Sequence, residues 1–446
     1  MPRLGRCRPH GLGSDCLGPM PGNSLQCGYD RRKTLALLGA LCFFFSAVEF
    51  LIPKPLPFMR IGLANMPLLL ALNILGAKDF FLLVVLKVLG QGLIGGTFLS
   101  FVFLFSIAGT FTSAAVMYAL SKMPGRKHLG FAGIGCAGAM VSNGVQLLLA
   151  RHLVFGEAVR YLAPPFLAAG FVAGLALGIV CEYFSRRSRW YASHRRRAPS
   201  PGNAVMPGEP VVALPGESRD EAPRQATPRE ARRLRRSRRW DGLFVADELF
   251  IAGLLMALIF LHDRSLPGLI THFFFFCALV WVSGRRNNYL ATAVFIAGIV
   301  FFNLLVPHGR VLLVLGPLQI TQGSLLVGLE RAITLSGLMM LSRVFVRNDL
   351  RLPGAIGSLL AEALRILEMM RGKMPGFRRI HRIHRIRRGR MIAAIDDVML
   401  GVENAAPGDP DGLSRERPRR NAKGILLLMA MVILTAAIGL VIFPGG

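Results

Sequence analysis

A chain of 446 residues with 53% hydrophobic side chains and a mean hydropathy of +0.49 is too apolar for an ordinary soluble domain. Its apolar residues fall in runs of about 15–24 separated by short polar connectors, which excludes a transmembrane β-barrel and predicts an all-α polytopic membrane protein. A formal charge of +28 would suggest nucleic acid in a soluble chain. Here the Lys and Arg surplus sits in the N-terminus, 184–240, 371–390 and 414–423, so retention on the cytoplasmic side and attraction to anionic headgroups displace that reading.

In chain order, residues 1–33 are basic and rich in Gly and Pro, and disorder is expected there. The run Thr34–Ile52 predicts the first span, preceded by Arg31-Arg32-Lys33 and without a small-x-small cleavage site, so a retained helix rather than a signal peptide. Glu49 near its end is expected at the interface. Pro53, Pro55 and Pro57 break that helix. A short Asn-containing span at 61–76 follows, then a turn at Ala77-Lys78-Asp79 and a third helix to Ile94. Phe98–Leu120, Leu129–Ala150 and Leu162–Tyr183 complete a six-span domain over 34–183. With the N-terminus inside, the basic loops after the second, fourth and sixth spans are all cytoplasmic. Gly170-x-x-x-Gly174-x-x-x-Gly178 predicts a close-packing helix face.

Residues 184–242 offer no apolar face and are expected to be a disordered basic linker, with a membrane-surface helix as an option for 229–240. A second membrane domain over 243–373 begins with spans at Leu243–Leu261, Leu266–Ser283 and Tyr289–Val306. Val311–Leu315 is expected to be strand-like or re-entrant, and Gly323–Val346 is the next span. The Glu330-Arg331 pair in it either couples the two domains or pairs with a neighbouring helix. In 352–373, Ile356, Leu359, Leu360, Leu364, Ile366 and Leu367 recur at helical spacing, with Glu362, Arg365 and Glu368 between them. This predicts an amphipathic helix on the cytoplasmic face. A basic and polar stretch, 374–423, precedes a final span at 424–443, for eleven spans in all.

The most informative residue is Lys87. It lies about eight residues past Asp79, hence roughly 12 Å into an apolar helix, where a Lys costs about 3 kcal/mol on insertion scales. Such a residue is expected to face a polar cavity. Arg60, Asn65, Gln91, Asn143 and Gln146 are candidates to line that cavity with it. Lys87 and Gln91 share one helix face by i,i+4 spacing, and Asn143 and Gln146 share another by i,i+3. Two cations, Arg60 and Lys87, favour an anionic or strongly polar ligand. For the Asn and Gln residues, interhelical hydrogen bonding is the alternative.

Catalytic patterns are missing from the sequence: no Walker lysine loop, H-E-x-x-H, G-x-S-x-G or C-x-x-C. Asp396-Asp397 begins no D-D-x-x-D. His272, His381 and His384 lack evident partner ligands, and the seven Cys fit no metal motif. Neither a metal nor a cofactor is expected.

The stretch PFMRIGLANMPLLLALNILGAKDFFLLVVLKVLGQGLIGGTF, followed by a basic loop and VSNGVQLLLA, resembles the Gx transporter family, filed as heptaprenyl diphosphate synthase component I. The resemblance covers about residues 33–185 and rests on R-x-G-L-A-N, the mid-helix Lys and G-x-x-x-G-T-F. The six-helix layout is similar to the substrate-binding S components of energy-coupling-factor (ECF) transporters. Those bind a vitamin-like solute and work with a transmembrane T component and two cytosolic ABC-type ATPases. Residues 243–373 resemble a T component more weakly, in GLERAITLSGLMMLSRVFVRNDLRLPGAIGSLLAEALRILEMM. The usual Ala-Arg-Gly coupling motif is missing, Met370-Arg371-Gly372 being the nearest match. The resemblance implies an S-like domain fused to a T-like domain. It would be a non-enzymatic uptake component of the cytoplasmic (inner) membrane for a small, anionic or polar solute, energised by separate ATPases. The alternative is a non-catalytic membrane subunit linked to heptaprenyl diphosphate or quinone synthesis.

Overall fold

The computed structural model describes residues 21–51, 62–123, 130–197, 228–263, 265–285, 287–315, 318–347, 350, 354–373, 396, 399–401 and 421–441. Arg60, the Pro53–Pro57 break, His381, His384, Asp397 and most of 374–423 lie outside these residues.

Helix α1 runs from Pro21 to Leu51, starting well before the expected Thr34. Proline at a first helical position has no N–H to lose. The basic turn that composition marks as disordered is held by carboxylates from elsewhere. Arg31 pairs with Asp79, and Arg32 reaches Glu362 at 3.2 Å and Ser358 at 2.9 Å. The second expected span is corrected. Gly62, at φ 85°, leads into a 3-10 turn, Leu63–Asn65, and a helix of six residues, α2, Met66–Ala71. At 1.5 Å per residue, α2 is about 9 Å long and crosses nothing. All six of its residues are buried.

Helix α3 (Ala77–Gly95) ends at Gly96 with φ 57°, and α4 covers Phe101–Lys122. Helix α5 (Phe131–Ala150) turns through a π-helical segment, Arg151–Phe155, and a 3-10 turn, Gly156–Ala158, into α6, Val159–Arg187. The two helices fold back antiparallel, because Ala132 meets Gly178, Gly135 meets Gly174 and Asn143 meets Gly170. The glycine stripe does what its spacing predicts. A Cβ on Gly178 would lie 2.6 Å from the Phe131 carbonyl oxygen, and one on Gly174 would lie 3.0 Å from that of Gly135. Asn143 closes the same seam, its amide donating to the Phe166 carbonyl at 3.2 Å.

Both ends of the expected disordered linker are helical: α7, Arg189–Arg197, and α8, Pro228–Leu243. Distant partners supply what local composition lacks. The Asp396 carboxylate caps α7, accepting from the Arg189 N–H at 2.6 Å and from the Ser188 hydroxyl, while Trp190 and Tyr191 are fully buried. In α8, Trp240 packs 4.7 Å from Phe244.

Helices α9 (Ala246–His262), α10 (Leu266–Val282) and α11 (Tyr289–Leu304) follow. A short antiparallel hairpin comes next, β1 (Val311–Leu315) with β2 (Leu318–Thr321), in register Val314 to Gln319. Then come α12 (Gln322–Phe345), α13 (Gly354–Lys373) and α14 (Ala422–Val441). Helix α13 is amphipathic as expected, but its apolar face packs against α1. Leu359, Leu360, Ala363, Ile366, Leu367 and Met370 are buried there in one cluster with Leu35, Leu38 and Cys42.

Several long apolar helices make this a multi-pass membrane protein. Among the described residues, four helical stretches are long and apolar enough to cross a bilayer: α4, the α5–α6 run, α12 and α14. There are five if the bent pair α8–α9 counts as one. The α5–α6 run holds two antiparallel helices, so these stretches are not a count of spans, and neither eleven spans nor the six-plus-four layout follows from them. Helix α2 is too short, and α10 and α11 have only 17 and 16 residues.

The N- and C-terminal parts of the chain touch along a shared core in which Phe101 stacks on Phe295 at 5.8 Å. Ser342 donates to the Gly96 carbonyl at 2.6 Å and accepts from the Leu99 N–H at 3.2 Å. Asn303 donates to the Val154 carbonyl at 3.2 Å and accepts from Arg331 at 3.2 Å, so Arg331 both pairs with the neighbouring helix and reaches the α5–α6 bend. Gly178→Val should destabilise the α5–α6 seam by about 1–3 kcal/mol, and Asn143→Ala by about 1 kcal/mol. Both are measured as a lower thermal midpoint in detergent; an unchanged midpoint for Gly178→Val would show that the seam does not hold the hairpin.

Candidate functional site

The glycine-driven approach of α6 to α5 brings the polar face of α5 towards α3 and α4. Between them lies a cavity of about 50 Å³, roomy enough for about four waters or a solute of few heavy atoms. Asn65, Lys87, Gln91, Asn143 and Gln146 all line it. Five of the six residues singled out from the sequence therefore meet in one place, drawn from the 3-10 turn, α3 and α5. The sixth, Arg60, lies outside the described residues.

Lys87 is 3% exposed, and its ammonium donates to the Asn65 carboxamide oxygen. One turn along α3, Gln91 accepts from the Ser106 hydroxyl of α4 at 3.3 Å. On α5, the Gln146 amide donates to Ser142 at 3.0 Å. Gly109 of α4 permits that arrangement, because a Cβ there would lie 2.7 Å from Gln146 Nε2. Two polar atoms on the cavity wall are buried without a hydrogen-bond partner among the described residues, Gln146 Oε1 and Ser113 Oγ. Buried polar atoms normally find a partner, so these two point to a bound water or ligand group.

Of the two expected cations, Lys87 lines the cavity, Arg60 lies outside the described residues, and an acidic side chain joins the lining. Glu49 also lines the cavity and is 4% exposed. It was expected at the membrane interface, but α1 carries it inward beside the turn that begins at Gly62. A carboxylate and an ammonium on one small cavity partly offset each other's cost of burial. The α4 wall is not among the residues that the sequence singles out. Ser106, Thr110 and Ser113 are buried and line the cavity. Their i, i+4, i+7 spacing on an otherwise apolar helix was the available signal.

Among the described residues the arrangement offers both hydrogen-bond donors and acceptors, with Lys87 and Glu49 as the ionisable groups. Among the described residues no cluster of three or more His, Cys, Asp or Glu side chains could hold a metal ion. His272 is fully buried and spans two helices instead, with Nδ1 2.8 Å from the Gly268 carbonyl and Nε2 3.0 Å from the Thr435 carbonyl. Asp396 is the cap of α7. What the cavity can do chemically is bind and orient a small polar molecule.

Residues 38–184, which carry this cavity, match the family model described as heptaprenyl diphosphate synthase component I. Residues 249–348 match the model of a domain of unknown function, DUF8519. No curated protein and no solved structure matches the chain.

Proposed function

We propose that the chain is the solute-binding membrane component of an uptake system. In this reading the α1–α6 part acts as an S-like domain and the part from α9 to α13 as a T-like partner fused to it. The observation that carries the reading is the convergence of Lys87, Asn65, Gln91, Asn143 and Gln146 on one small cavity. Keeping an ammonium there costs about 3 kcal/mol, and a binding role accounts for its retention. The solute is small and polar, and the Lys87–Glu49 balance favours one that is zwitterionic, or neutral with both donors and acceptors, over a multiply charged anion. The protein is no enzyme in this reading; cytosolic ABC-type ATPases supply the energy. It sits in the cytoplasmic membrane with its N-terminus and basic linker inside, the orientation that places the Arg-rich 184–240 stretch on the cytoplasmic side.

The description of the family matched by residues 38–184 favours a second reading, a non-catalytic membrane subunit of heptaprenyl diphosphate synthesis. The small cavity and the lack of an aspartate-rich Mg²⁺–diphosphate motif in the sequence support the first reading over it.

Native mass spectrometry of detergent-purified protein separates the two. The wild type should release a low-mass polar adduct and retain cytosolic ATPases, and Lys87→Ala should lose the adduct at unchanged yield of folded protein. An adduct bound equally by Lys87→Ala removes Lys87 from the binding site. Release of a prenyl diphosphate, or chain elongation from isopentenyl and farnesyl diphosphates with Mg²⁺, establishes the second reading.

A further inference from the structure

Helix α8 meets α9 at 94°. Helix α9 turns Ile251, Leu254, Leu258 and Leu261 outward as an exposed apolar row, which in a membrane protein is covered by hydrocarbon. With α9 standing across the hydrocarbon layer, a helix at right angles to it lies along the membrane surface. An independent marker fixes the level. Trp281, in the last turn of α10, and Tyr289, in the first turn of α11, are 60% and 51% exposed, and exposed Trp and Tyr of this kind gather where hydrocarbon meets headgroups. The Arg236 guanidinium lies 4.1 Å over the Trp281 ring, so α8 is tied to that level. Gly284, at φ 67°, seats the helix: a Cβ there would lie 2.7 Å from the Arg233 carbonyl oxygen and 2.8 Å from the Ser237 nitrogen.

The surface thus held in place is strongly basic. Arg232, Arg235, Arg236, Arg238 and Arg239 are exposed, while the acidic group of α8 near them, Asp241, is engaged by Arg285 at 3.0 Å and Arg347 at 3.6 Å. Behind the helix, Arg343 donates to the Asn287 carboxamide oxygen. The Arg285 Nε and Asn287 Nδ2 groups are buried donors without a hydrogen-bond partner among the described residues. The exposed groups of α8 from Arg232 to Arg239 are mostly cationic donors, and Leu234 and Trp281 are exposed beside them. Phosphate oxygens at the boundary of an apolar layer match this surface in charge, in hydrogen bonding and in the neighbouring apolar contacts.

We infer that α8 and the described residues of the α10–α11 turn, 283–285 and 287–288, form a docking surface for the phosphate headgroups of anionic lipids. This does not depend on what the α3–α5 cavity binds.

Trp281 provides the test, since Trp190 and Trp240 are buried. The full chain is reconstituted in phosphatidylcholine vesicles doped with either brominated phosphatidylcholine or brominated phosphatidylglycerol, and tryptophan quenching is compared. Quenching should report about a fivefold preference for the anionic lipid, a size expected from one net basic side chain near the surface and a lower bound for several. The preference should weaken at high salt. The quadruple variant Arg232→Gln, Arg235→Gln, Arg238→Gln, Arg239→Gln, which leaves the stacked Arg236 in place, should quench equally with both lipids. Equal quenching in the wild type, or a preference kept by the variant, overturns the assignment. So does displacement of the anionic lipid by millimolar inorganic phosphate or by an RNA oligonucleotide, which would mark a site for soluble anions.

Discussion

The burial of one ammonium group sets the terms for the first 190 residues. Lys87 sits in the middle of α3 and must find oxygen acceptors inside the protein, because hydrocarbon offers none. One acceptor is Asn65. It is presented by a 3-10 turn that follows a left-handed glycine, Gly62. The short buried helix α2 follows directly on the turn that delivers Asn65 to Lys87.

The rest of the cavity depends on glycine as much as on polar residues. Asn143 can donate to the Phe166 carbonyl because Gly170 leaves room for its amide, and Gln146 is accommodated beside Gly109. Small residues bring helices together in membranes, where water provides no drive for association. Here the closeness they allow also turns hydrogen-bonding side chains towards one space. The same stripe read from sequence as packing alone is therefore also what shapes the cavity.

The elements legible in the sequence were those whose causes are local. Helices α3 to α6 and α9 to α12 lie close to the expected runs, since apolar length and breakers such as Gly95-Gly96 are local signals. Asn65, Lys87, Gln91, Asn143 and Gln146 were legible because polar groups in apolar helices are expensive wherever they stand. What escaped was set by distant partners. Arg31 and Arg32 of α1 pair with Asp79 and Glu362, and α7 is capped by Asp396, more than 200 positions away. Glu49 looked interfacial because its distance from a helix end is a local measure, whereas its burial depends on the other elements that line the cavity. The hydroxyls of α4 were passed over one at a time because Ser and Thr are cheap in membrane helices; only their joint spacing carries the information.

Helix α3 also joins the two parts of the chain. Its first turn holds Arg31 through Asp79, while the residue that closes it, Gly96, accepts a hydrogen bond from Ser342 of α12. The adjacent Leu99 N–H returns to the same hydroxyl. The helix that carries Lys87 and Gln91 is thus pinned at one end by α1 and at the other by the second half of the protein. Packed interiors deform little and tend to move as blocks. A displacement of α3 large enough to change the cavity must therefore either break the Ser342 contacts or carry α12 with it. The same serine is buried among Leu341, Val344 and Phe345, and a lone hydroxyl there is retained at the expense of apolar packing. Its two hydrogen bonds to the end of α3 supply the physical reason.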